Sequence, residues 1–231
     1  SEKLQTPAGK ISKVLNDPVQ LQNLIRSKTM KMGGAGYVRP DPKSFPELKE
    51  MNSFIRECGA IPVVAWLNGE SAGEKDPDAL LDLHIRAGAA AVNIIPDRNW
   101  NFPDPEVRKK KITELHRFIE ASKMKNLPIL VGTEMNAPGQ CKVDDFASEA
   151  LRPYIDDFIE GAEIMFAHTL LQHAGMGYMS DWAASNLVTS GDKNAYYAEI
   201  GRRCSPGALD KVAFCGPEMS KEDIKKQIFG N

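Results

Sequence analysis

Three short apolar runs, at 61–66, 90–95 and 128–131, are separated by helical patterns, and this alternation constrains the chain more than any other feature. The intervening helices open on Asp76-Pro77 and Asp104-Pro105. An aspartate can accept hydrogen bonds from the first unpaired helix amides, and a proline at the first helical position loses no needed donor. The repeat spans roughly 30–40 residues, the size of a β-α-β crossover. The loops are unequal. Links from helix to strand are short, whereas those after the strands, at 67–75, 96–103 and 134–142, are long. Long loops on one side only are what a (β/α) barrel shows at its working face.

The predicted class is therefore α/β. A tail or linker at 1–16 precedes a (β/α) barrel, or partial barrel, of parallel strands over 17–151. A helical C-terminal region over 152–231 packs on the barrel. A doubly wound open sheet has the same alternation and is the alternative. A closed barrel needs eight strands, and the chain supplies three, with a fourth if 37–38 pairs. It also begins without Met. Both points suggest the later part of a barrel whose earlier strands lie elsewhere. The expected assembly is association with that missing N-terminal half, or a homo-oligomer.

Outside the strands, Val19, Leu21, Leu24 and Ile25 mark a helix opened by Asp17-Pro18. The cluster Gly33-Gly-Ala-Gly36 stops it, and without a following Lys-Ser/Thr it reads as a turn and not a phosphate loop. After 142 the strands cease. A short helix is expected at 144–151 and a long one over 152–172, broken by Gly175-Met-Gly177. Further helices start near 180, 192, 206 and 220.

Of the 231 residues, 42% are hydrophobic and 26% charged, and the net charge is −2. That balance suits a soluble globular chain and gives no strong attraction to nucleic acid or an anionic membrane. The run Arg108-Lys-Lys-Lys111 reads as a solvated helix face. No apolar stretch reaches the ~20 residues of a membrane span, and the start lacks the pattern of a signal peptide. Cys58, Cys141, Cys204 and Cys215 are scattered without C-x-x-C spacing, and read as reduced thiols in a cytoplasmic protein. The expected partner is a small molecule.

Candidate chemistry lies where the strands end. Asn68 and Glu70 follow the first, Asp97, Arg98, Asn99 and Trp100 the second, and Glu134 and Asn136 the third. If the strands are parallel neighbours, these groups share one rim. Asp97 and Glu134 can hold a divalent metal (Zn, Mn or Mg) or exchange protons. Arg98 can clamp an anion in two-point fashion. Asn68, Glu70 and Asn136 can orient a substrate, and Trp100 can wall the pocket. Each of these residues could instead cap a helix or make a turn. His168 and His173 lie five apart, wider than a helical metal pair, and His168 reads as a core or rim residue.

Three segments carry a resemblance: Pro62-Val-Val-Ala-Trp-Leu-Asn-Gly69, Asn93-Ile-Ile-Pro-Asp-Arg-Asn-Trp-Asn101 and Val131-Gly-Thr-Glu-Met-Asn-Ala-Pro-Gly-Gln140. They resemble the later strands of metal-dependent hydrolases of the polymerase-and-histidinol-phosphatase (PHP) type. Gly132-Thr-Glu134 is similar to the Gly-x-Glu strand whose Glu binds metal in that family. The resemblance implies Glu134 as a metal ligand and hydrolysis of a phosphoester or related bond. The family's His-x-His opening strand and closing Asp-x-His are not present in this sequence. The expected function is a hydrolase-like enzyme for a small anionic or sugar-like substrate, with Glu134 and Asp97 as catalytic carboxylates. The alternatives are a sugar or keto-acid isomerase or aldolase in which Glu134 moves a proton, and a non-catalytic ligand-binding barrel.

Overall fold

Each Asp-Pro pair starts a helix. In the computed structural model, which describes residues 6–135 and 141–230, Asp17 accepts from the amides of Val19 and Gln20 at the head of α2 (Pro18–Thr29). Asp76 accepts from Ala79 at the head of α4 (Pro77–Arg86), and Asp104 from Glu106 and Val107 at the head of α6 (Pro105–Met124). These side chains satisfy amides that the helix itself leaves unpaired.

The chain divides into two units, with the boundary after Glu47. The first contains α2 and, before it, α1 (Ala8–Val14), which falls in the stretch expected to be a tail. Neither helix has a buried residue. The second unit begins at Leu48 and holds both the sheet and the C-terminal helices. Its elements are α3 (Leu48–Glu57), β1 (Val63–Trp66), α4, β2 (Ala91–Ile94), the single turn α5 (Asp97–Trp100), α6 and β3 (Ile129–Val131). They are followed by α7 (Ile155–Gln172), α8 (Asp181–Asn186), α9 (Ser190–Arg203), α10 (Leu209–Val212) and α11 (Lys221–Phe229).

The three strands form one parallel sheet in the order β1-β2-β3. Register pairs Ala65 with Asn93, and Asn93 with Leu130. Side chains alternate between faces, and each face meets its own core. Val64, Trp66, Val92, Ile94 and Ile129 pack with Leu81 of α4 and Leu115 and Phe118 of α6. On the other face, Ile61 and Ala91 join Ile164 and Leu171 of α7 with Tyr197 and Ile200 of α9.

The barrel expected from the alternation is not formed. The described residues build a small open sheet of three strands in a mainly helical chain. The physical reason lies at the outer edge of β3. Gly161 of α7 sits directly on the Ile129 backbone, so close that a Cβ there would collide with the Ile129 carbonyl. A helix therefore occupies the flank where a fourth strand would pair. Gly201 of α9 lies just as tightly against the backbone of Glu163 on α7. The expected helix at 144–151 is also replaced by turns, one of which is closed by the Ala147 amide on the Asp145 carboxylate at 3.1 Å. Among the described residues, no helix is long and apolar enough to cross a membrane.

Candidate functional site

Because the strands are parallel, their C-terminal ends lie along one edge of the sheet. The residues singled out there fall into three groups.

After β1, Asn68 and Glu70 bond to each other. The Glu70 amide donates to Asn68 Oδ1 at 3.1 Å, and Asn68 Nδ2 donates to Glu70 Oε2 at 3.2 Å. Glu70 Oε1 lies 2.7 Å from Lys111 Nζ, on a side chain only 8% exposed. The basic run expected to be a solvated face thus contributes a buried cation. Lys111 stands one turn before Leu115 on the inward stripe of α6. The Lys111 ammonium holds the Glu70 carboxyl below its ordinary value. These groups chiefly organise the loop and fasten it to α6.

After β2, the turn of α5 distributes its side chains. Asn99 is buried, and its amide donates to the carbonyls of Leu67 at 2.8 Å and Ile95 at 3.0 Å, tying together the ends of β1 and β2. Asp97 accepts from Asn101 Nδ2 at 2.9 Å. Its carboxylate, bonded to the Cys141 thiol, raises that thiol above its ordinary value and so disfavours the reactive thiolate. Trp100 donates through Nε1 to Asp144 Oδ1 at 3.3 Å, and Arg108 lies over its ring.

The third group joins two strand ends. Arg98 donates through Nε to the Glu134 carboxylate, across 36 positions of sequence. The Arg98 side chain is 39% exposed and that of Glu134 is 20% exposed, so the pair is reachable from solvent. The hydrogen bond it donates to Glu134, and then the carboxylate's charge, raise the guanidinium above its ordinary value. A guanidinium carries five N–H donors, so a bond through Nε leaves the paired terminal nitrogens for another acceptor. Asn136, the remaining candidate, lies outside the described residues.

Asn93 was not among the sequence candidates. It stands on the central strand between Ala65, which is exposed, and Leu130, which is half-buried. Its amide makes no hydrogen bond among the described residues. A Cβ on Gly132 would come within 3.0 Å of that amide, so glycine gives it room. The signal was legible: Asn93 is the one polar side chain inside an apolar run.

Glu134 and Asp97, the carboxylates expected to share a divalent metal, meet different partners in this arrangement. Among the described residues, no three His, Cys, Asp or Glu side chains gather as a ligand group. Glu134 holds the Arg98 guanidinium. Asp97 serves Asn101 and Cys141.

Asp144 makes the site sensitive to pH. Burial raises its carboxyl above the ordinary value; the Trp100 donor opposes this, and the nearby Asp97 charge adds to it. The folded state therefore binds this proton more tightly than the unfolded chain. The resulting stability is fully present below about pH 3.9, the ordinary aspartate value, and is lost as pH rises through the higher folded value. Asp144→Asn is expected to flatten the pH dependence of Tm above that point, with Tm at neutral pH equal to or above that of the parent. A clear loss of Tm at neutral pH would show that the ionised carboxylate is needed.

The chain matches no protein-family model, no curated protein and no solved structure.

Proposed function

We propose that the C-terminal edge of β1–β3 binds a small anionic or sugar-like substrate in a hydrolase-like enzyme. The observation that carries this reading is the solvent-reachable Arg98–Glu134 pair, formed across the ends of two adjacent parallel strands. Open α/β sheets hold ligands outside the carboxyl ends of their strands. Glu134 orients the guanidinium through Nε, and the terminal nitrogens take a carboxylate or phosphoryl oxygen in two-point fashion. Asn93 offers a donor and an acceptor to a hydroxyl or carbonyl on the same substrate. Glu134 is also the carboxylate placed to accept a proton from water or a substrate hydroxyl. The same pairing also supports a second reading, an isomerase or aldolase in which Glu134 moves a proton within the substrate.

Calorimetry with inorganic phosphate and simple sugar phosphates tests the binding step. Charged hydrogen bonds contribute about 1.5–3 kcal/mol, so Arg98→Ala is expected to weaken binding roughly 10- to 100-fold. Glu134→Gln keeps an acceptor for Arg98 but removes the proton acceptor. It is expected to retain binding and to lose turnover of p-nitrophenyl phosphate or of an isomerised sugar. Anion binding that is indifferent to Arg98→Ala would refute the site, and full turnover by Glu134→Gln would refute the role of Glu134.

A further inference from the structure

Buried polar groups in folded proteins bond to protein or to ordered water. Trp66 Nε1, Asn99 Oδ1 and Lys111 Nζ are buried and have no hydrogen-bond partner among the described residues. They come from three elements, β1, α5 and α6. Each borders the same short stretch of chain, residues 67–70. Asn99 is tied through Nδ2 to the Leu67 carbonyl. The Trp66 indole lies against Gly69: a Cβ added there would stand 3.4 Å from Cζ2, on the side of the ring that carries Nε1. Lys111 Nζ lies 2.7 Å from Glu70 Oε1, close enough to pair the charges but not aligned as a hydrogen bond. An ammonium has three N–H groups, so Glu70 leaves at least two of them over. Trp66 packs in the core with Leu115 and Phe118 of α6, and Lys111 stands on the same inward stripe of that helix. The three atoms therefore gather at the junction of β1, α5 and α6.

We propose that this junction is a binding site for one water molecule, held by Trp66 Nε1, Asn99 Oδ1 and Lys111 Nζ. Chemistry selects the guest. Asn99 Nδ2 donates to the carbonyls of Leu67 and Ile95, which fixes Oδ1 as the acceptor that remains. The indole N–H and the ammonium can only donate. The guest must therefore accept from two donors and give a proton to one acceptor. Water does both, and three bonds is the usual number for a buried water. An anion has no proton for Asn99 Oδ1, and a cation would meet the charge of Lys111. The water joins α5 and α6 to the end of β1. Arg98 is the neighbour of Asn99 on α5, so the same water steadies the turn that presents the guanidinium. Its binding does not depend on what Arg98 holds, and the site stands independently of the proposed anion site.

A high-resolution crystal structure of the full chain is expected to show one density peak within hydrogen-bond distance, about 2.7–3.2 Å, of Trp66 Nε1, Asn99 Oδ1 and Lys111 Nζ. Crystals soaked in bromide are expected to show no anomalous signal at that peak. In solution, magnetic relaxation dispersion of the water oxygen counts waters that stay bound longer than the protein tumbles. Trp66→Phe and Lys111→Met each leave two partners and are expected to keep the count of the parent. The double variant leaves Asn99 Oδ1 alone, fewer partners than a buried water needs, and is expected to lose one long-lived water, with the circular dichroism spectrum retained. The crystal test uses the unaltered protein and decides the matter even where the double variant fails to fold. A junction without a peak would overturn the proposal. So would a peak that bromide replaces, which would make the guest an anion. An unchanged count in the folded double variant would overturn it as well.

Discussion

Phe118→Ala is expected to lower the unfolding free energy of the sheet-containing unit by about 3–5 kcal/mol, the range for removing a fully buried aromatic ring. Phe118 is completely buried on α6 and stacks on Trp66 of β1, with ring centroids 4.7 Å apart and planes within 9°. It therefore joins a helix to an edge strand through a single contact between rings. Loss of the ring leaves a cavity beside Trp66, which is itself 1% exposed and whose Nε1 has no hydrogen-bond partner among the described residues. The site cannot collapse easily, because Leu115 and Ile119 on the same helix are already fully buried. Phe118→Leu refills much of the volume and is expected to cost about 1.5 kcal/mol or less. Denaturant titration of both variants measures the difference. A loss below 1 kcal/mol for the alanine variant would mean that α6 is not fastened to β1 through this stack.

Gly161→Ala is expected to destabilise the protein by about 1–3 kcal/mol or more, the usual cost of forcing an extra methyl into a packed interior. Helix propensity alone gives the opposite sign, since alanine is favoured over glycine inside a helix by about 1 kcal/mol. Packing decides here. The added Cβ would meet the Ile129 carbonyl, a backbone atom that cannot rotate away. α7 would have to retreat from β3, opening both cores that it touches. Gly201→Ala meets the Glu163 backbone in the same manner and should behave alike. A Gly161→Ala variant more stable than the parent would show that α7 does not lie on the edge of β3.

Both variants probe what the alternation of strands and helices left open. Capping and periodicity are properties of short stretches, so the helices opened by Asp17, Asp76 and Asp104 and the three strands were legible from neighbouring residues alone. Whether the sheet closes is a different kind of question. It depends on Gly161, which lies on a helix beyond β3 and in sequence looks like a weak point rather than a contact. A barrel and an open sheet covered at its edge by a helix share the same local pattern. Lys111 was misread for a related reason. A run of four basic residues looks solvated, yet the helical period turns its last member toward the core, where Glu70 offsets its charge.

The rim residues divide in the same way. Their position after the strands followed from the order of elements, and parallel pairing brought the strand ends together. Their partners did not follow from it. Asn68 and Glu70 bond within one loop, Trp100 reaches Asp144, and Arg98 reaches Glu134. Asn93 went unremarked because a polar residue inside a strand has meaning only once its face of the sheet is found uncovered.

By itself the sequence determined where α2, α4 and α6 begin and where the three strands run, because caps and apolar periods act over a few residues. The tertiary structure alone decided that the sheet stays open, that Lys111 is buried, and that Arg98 and Glu134 meet. Those outcomes depend on contacts between distant segments, such as the 36 positions separating Arg98 from Glu134, for which local pattern carries no information.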